Sequence, residues 1–373
     1  MTRTTRGLLV AGLTTAAVLA GVTPAFAAEA PIRISGSAGG TLGPEFGSMA
    51  GDPVRFEIEA SATDPMQPTG HFKVTHHKPD GALLARFSGE VTGAHAVGQV
   101  GVVNGKITWA EHPGAPQVEF VGKPISLTVQ DEGARGDRIG WVWGFFGQPV
   151  SRLQGTAPVL RLRDGDFSVR GPVPGVDGAD KTSGGGGGGR ADKAFGDGLA
   201  GQASGGGATD KTSGGGRANK TVAGGGLAAA GGGDRGHVLA GTVRGTSKDP
   251  VFLNDPLMFS VRAAVAPGST PDSATGRFHV THHKPDGALV ADFSGDITCL
   301  VVGGRVGMAT GVVRASADPA HVGLRVSFSV YDGARGDRIG WLWGLPGSEP
   351  VHDCQGFSPF FTPSAGGFLA RGL

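Results

Sequence analysis

Residues 70–92 read GHFKVTHHKPDGALLARFSGEVT, and residues 276–298 read GRFHVTHHKPDGALVADFSGDIT. In the first copy, Phe72, Val74 and His76 fall on one side of an extended chain, with Lys73, Thr75 and His77 on the other. Successive side chains of a strand point to opposite faces. Lys78-Pro79-Asp80-Gly81 follows as a turn. Proline presets φ for the first central position, aspartate tolerates the second, and glycine takes the positive φ after it. Ala82 to Phe87 then runs back. The stretch predicts a β-hairpin, and its recurrence predicts a duplicated domain.

A second shared stretch follows each hairpin: GARGDRIGWVWG from Gly133 and GARGDRIGWLWG from Gly333. Elsewhere apolar residues alternate through short segments such as Phe56-Glu57-Ile58 and Ile125-Ser126-Leu127-Thr128-Val129. Glycine, proline and aspartate separate them, and beyond the N-terminal leader no window keeps a helical apolar face. The predicted fold is all-β: two homologous β-sandwich or barrel-like domains, spanning residues 28–172 and 237–373. The first carries a short insertion around Asn104 to Val121. Residues 173–236 are dominated by glycine, and Asp-Lys-Thr-Ser-Gly-Gly-Gly occurs at Asp180 and again at Asp210. Such a segment has too few apolar groups to offset its ordering entropy and reads as a disordered linker. As a Gly-rich coil it would span roughly 40–50 Å on average, so the two lobes are expected to move independently.

The composition limits the partners. Among 373 residues, 33 are Lys or Arg and 32 are Asp or Glu, with no basic stripe, so no nucleic-acid partner is expected. Residues 1–27 read as a secretory signal: Arg3 and Arg6, an apolar run from Gly7 to Val22, and a small-x-small site at Ala25-Phe26-Ala27. That run is too short to span a bilayer. The mature chain is expected to be secreted, with no membrane span.

Ile297-Thr298-Cys299-Leu300, Tyr331-Asp332-Gly333, Gly336-Asp337-Arg338 and the late Cys354 resemble repeats in secreted actinobacterial proteins of unknown function. The resemblance covers both lobes and implies export and a β-rich domain, but it brings no active site. The first lobe departs from it, with Gly93 and Leu153 where cysteines would stand. The chain's two cysteines allow at most one intramolecular bridge. Export places them where disulfides persist, and the first lobe lacks both together. A Cys299–Cys354 disulfide is therefore expected; the alternative is two separate buried thiols.

The constellations that suggest chemistry each have a plainer reading. His76 and His77, like His282 and His283, point to opposite faces of a strand and cannot chelate one ion. Asp131, Glu132 and Asp137, with Asp332 and Asp337, suggest a calcium loop but lack the alternating carboxylates of one, and read equally as turn aspartates bonding backbone amides. Arg135-Gly136-Asp137 and Arg335-Gly336-Asp337 spell the integrin tripeptide, or simply a tight loop feeding a strand. No nucleophile elbow is present. No catalytic residue, metal or cofactor is expected.

The Trp-x-Trp pairs stand out most. Trp141 and Trp143 share a strand face with Ile139, as Trp341 and Trp343 do with Ile339, and their indoles would stand about 7 Å apart. They could stack on alternate sugar rings, or the face could be core, with Arg138, Gly140 and Val142 outside. The expected activity is non-enzymatic binding, to extracellular polysaccharide first or to a cell-envelope component. A secreted hydrolase and a structural envelope protein are the rival readings.

Overall fold

In a computed structural model the described residues are 31–172 and 236–373. The leader and the glycine-rich linker lie outside them.

The first lobe is a meander of β1 (Ile32–Thr41), β2 (Pro53–Ala62), β3 (Thr69–His77), β4 (Leu83–Val97), β5 (Val100–Glu111), β6 (Pro124–Gln130) and β7 (Arg138–Trp143). Each strand pairs antiparallel with the next. β8 (Leu160–Arg161) lies on β7, and β9 (Asp164–Arg170) lies on β1. One continuous stretch is therefore hydrogen-bonded to both ends of the sheet: Leu162 N–H donates to Asp137 O, and Arg163 N–H donates to Gly39 O in β1. The sheet curls into a barrel-like layer, with the alternating residues of β2 facing inward.

The second lobe repeats this with β10 (His237–Thr246), β11 (Pro256–Val265), β12 (Thr275–His283), β13 (Leu289–Gly303), β14 (Val306–Ser316), β15 (Arg325–Tyr331), β16 (Arg338–Trp343) and β17 (Ala365–Arg371). Phe361 bridges to Ile339, and Ser364 N–H reaches Arg244 O before β17 pairs with β10. The all-β prediction holds in its barrel-like form.

The hairpin matches its reading. Gly81 N–H donates to Lys78 O at 2.9 Å, Asp80 Oδ1 accepts from Ala82 N–H, and Gly81 has φ +86°. The GARGD loops take the plainer reading too. Asp137 Oδ2 accepts from Phe167 N–H and Asp131 Oδ2 from Val169 N–H, both in β9. Asp337 and Asp332 do the same for Phe368 and Ala370 in β17. These carboxylates latch the closing strand to the sheet. In the first copy of the tripeptide the carboxylate of Asp137 is buried, and in the second that of Asp337 is half-buried. Among the described residues, no group of His, Cys, Asp and Glu could hold a metal ion. Nor is any helix there long and apolar enough to cross a membrane.

One expectation is overturned: the lobes are packed against each other. Gly155 and Gly356 exchange both backbone hydrogen bonds at 2.9 Å. Gln154 Nε2 donates to Pro350 O, and reciprocally Gln355 Nε2 donates to Pro149 O. Equivalent residues thus meet across a local pseudo-two-fold, as in an isologous interface. Cys299, Val301, Met308 and Tyr331 join the first lobe's apolar core, and Leu153 clusters with Leu342 and Val351. The outer face of β7 and β16 supplies part of this contact. Arg138 and Val142, which read as solvent-facing, are buried: Arg138 donates to Val159 O and lies against Gly304 of the second lobe, and Gly140 between them is covered by Ala157 and Pro158.

The expected disulfide is present between Cys299 and Cys354, with Cα atoms 5.4 Å apart. The first lobe fills the equivalent place without sulfur. Leu153 has the same left-handed backbone as Cys354, φ +62° against +54°. Its side chain lies where a Cβ on Gly93 would come within 3.4 Å.

Candidate functional site

Each barrel-like layer encloses an apolar cavity, at matching places in the two lobes. The first, about 90 Å³, is lined by residues of β2, β3, β4 and β7 and of the adjoining loops, Phe56, Val74, Phe87 and both tryptophans among them. The second, about 120 Å³, has Phe259, Val280, Phe293, Trp341 and Trp343 in the corresponding positions.

The tryptophans therefore lie on the inner wall. Trp141 and Trp143 stack at 5.8 Å between ring centroids, with 23° between planes; Trp341 and Trp343 stack at 6.2 Å and 24°. Trp141 is further covered by Phe46 and Phe56, each at 5.4 Å, and Trp341 by Phe259 at 4.6 Å. Trp143 meets Phe87 edge-on. Trp141/Trp143 and Trp341/Trp343, read in sequence as platforms for alternate sugar rings, thus stand on the inner wall, stacked on each other and packed on phenylalanines, and form an aromatic surface in each cavity.

One polar side chain is common to both cavities. β3 continues its inward alternation through Phe72 and Val74 to His76, and β12 continues through Phe278 and Val280 to His282. His76 Nε2 lies 2.7 Å from Asp52, and His282 Nε2 lies 2.6 Å from Asp255. Desolvation lowers the pKa of His76, while the Asp52 contact works against that fall. The short reverse segments that carry Asp52 and Asp255 are held alike: Leu42 N–H donates to Asp52 O and Ser247 N–H to Asp255 O. With Nε2 turned to the carboxylate, Nδ1 is the ring atom left for another partner. His76 and His282 were read only as strand positions. Their inward role was legible in the period-2 pattern, but nothing local in sequence marks Asp52 or Asp255 as partners.

The two cavities differ at several equivalent positions: Val54 and Leu84 correspond to Leu257 and Val290, aliphatic for aliphatic, and three others change more. Leu42 in the first corresponds to Ser247 in the second, Phe120 to His321, and Phe145 to Leu345. The middle correspondence follows from the backbone, since Lys123 N–H donates to Phe120 O as Leu324 N–H donates to His321 O. The hydroxyl of Ser247 is thus not shared by both lobes, and no repeated Ser–His–Asp arrangement exists among the described residues. Comparison of the chain with family models, with curated proteins and with solved structures gives no match.

Proposed function

We propose that the chain is an extracellular, non-enzymatic binding protein whose two lobes each take the apolar part of a small ligand into a Trp-lined cavity. The duplicated cavity carries this reading, because an aromatic wall with one histidine, held by a carboxylate, recurs in both lobes. A pocket lined mainly by apolar side chains with a few convergent polar groups is the usual form of a small-molecule site. The leader-like residues 1–27 and the disulfide support action outside the cytoplasm. The size bounds the ligand: both cavities are smaller than the apolar cavity of about 150 Å³ that accepts benzene, so each takes at most a single ring or a branched alkyl end. Polysaccharide binding and hydrolysis have less behind them, since the indoles stack on each other inside the cavities and no cavity-lining hydroxyl is repeated.

Intrinsic tryptophan fluorescence tests the reading directly, because four of the five tryptophans line the two cavities. Titration with toluene should change the emission saturably and raise the unfolding temperature, as any ligand selective for the folded state must. An unchanged spectrum and unchanged melting up to toluene's solubility limit would exclude the cavities as binding sites. Co-sedimentation with insoluble glycans, or product release from them, would restore the rival readings.

A further inference from the structure

We infer that the two cavities have diverged in specificity: the second-lobe cavity takes a small aromatic molecule bearing a hydroxyl, a phenol, while the first takes hydrocarbon only. This rests on the reading of both cavities as binding sites.

Three of the replaced positions enlarge the second cavity or make it more polar. Leu345 in place of Phe145 removes a ring from the wall, and the second cavity is the larger, about 120 Å³ against about 90 Å³. Ser247 in place of Leu42 puts a hydroxyl into the lining. Its oxygen accepts from Asp249 N–H at 3.1 Å, which leaves the hydroxyl hydrogen free to donate. His321 in place of Phe120 adds an imidazole next to the Phe293 ring. Its Nδ1 lies 3.5 Å from Ser316 Oγ and its Nε2 lies 3.8 Å from Asp318, both long contacts. Together with His282 and Asp249, which also line it, the second cavity thus presents four polar side chains where the first presents His76 alone.

Polar groups in a dry site are costly to leave without partners, so a ligand that brings no hydrogen bond is penalised there. A phenol supplies one donor and one acceptor on a ring that matches the Trp341, Trp343 and Phe259 walls.

Calorimetric titration of the full chain with 4-methylphenol and with toluene tests this. One site should bind 4-methylphenol about tenfold more tightly than toluene, the worth of one well-made hydrogen bond. The double variant Ser247→Leu/His321→Phe, which installs the first lobe's residues, should lose that preference and still bind toluene. The reciprocal variant Leu42→Ser/Phe120→His should create a second phenol-preferring site, and it reads out the same inference if the first variant folds poorly. Equal affinity of the wild type for both probes, or a preference that survives in the first variant, would overturn the inference while leaving the cavities as sites. Absence of binding by either probe would instead remove the underlying reading.

Discussion

His95 gives the most quantitative test of the packing between the lobes. It sits in β4 with no accessible surface, edge-on to Phe357 of the second lobe at 6.2 Å between centroids. Its carbonyl accepts a hydrogen bond from Ser358 Oγ. Burial pulls its pKa from 6.5 down to about 3, so the folded protein holds it neutral. The unfolded chain protonates it at its ordinary value and the folded chain does not. Between these two values the unfolded state binds one more proton, so stability is full above pH 6.5 and falls as the pH is lowered toward 3.

The limiting slope is about 1.4 kcal/mol per pH unit for one such group, or roughly 2 kcal/mol between about pH 6.5 and 4.5, since the unfolded histidine is half protonated at pH 6.5. His76 and His237, whose pKa values burial also lowers, add in the same direction. The second lobe shows what replaces His95 without a titrating group, because Val301 occupies the equivalent position and is buried. Urea unfolding followed by tryptophan emission, at intervals from about pH 7 to 4.5, should show the His95→Val protein losing most of one proton's worth of acid sensitivity. An identical pH slope in wild type and variant would refute the assignment of that proton to His95.

Two further outcomes follow from the same packing. Reduction of Cys299–Cys354, which closes a separation of 55 residues, should destabilise the protein by up to about 4 kcal/mol in the chain-entropy model. Because both cysteines belong to the apolar cluster that spans the lobes, calorimetry should show one transition moving to lower temperature, and a first-lobe transition that stays put under reduction would contradict the shared core. Trp341→Ala removes an indole packed on Phe259, Phe360 and Phe361 and should cost about 3–5 kcal/mol in the urea midpoint. A cost near zero would show the indole to be outside the core.

Much of one lobe was legible in sequence because strand period and turn chemistry are local. Phe72, Val74 and His76 face inward as their spacing requires, and Gly81 takes the positive φ its turn needs. The cysteine pair was legible through internal alignment, with Leu153 and Cys354 sharing one unusual backbone conformation. The contact between the lobes was not read, although a signal was present. Ala94 to Val97 in β4 and Leu300 to Val302 in β13 are buried without alternation, as strands covered on both faces must be. A glycine-rich tether suggested independence, but tether composition says nothing about the surfaces it joins. The covering of the Trp faces was likewise invisible, since Phe46 and Phe56 reach Trp141 only after the sheet has curled.

The duplication lets each lobe serve as a control for the other, and the pattern of what was kept separates structure from ligand. At the reciprocal contacts the residue types are the same in both lobes: Gly155 and Gly356, Gln154 and Gln355, Pro149 and Pro350. In a two-fold arrangement each of these is made twice, so a change on one side leaves half of the pair mismatched. The latching aspartates are also kept, Asp137 with Asp337 and Asp131 with Asp332, because strand closure needs them in each lobe separately. The Trp-x-Trp wall and the His–Asp pair persist in the cavities, as do Phe56, Val74, Ala85 and Phe87 in the form of Phe259, Val280, Ala291 and Phe293. Leu42, Phe120 and Phe145 have given way to Ser247, His321 and Leu345, a change of chemistry rather than of volume alone. Packing by itself would favour like for like at such inward positions, since a buried serine or histidine in an apolar wall carries a desolvation cost that leucine and phenylalanine do not. The substitutions that run against packing therefore gather where a ligand would touch, and the interface that holds the lobes together left those positions free to change.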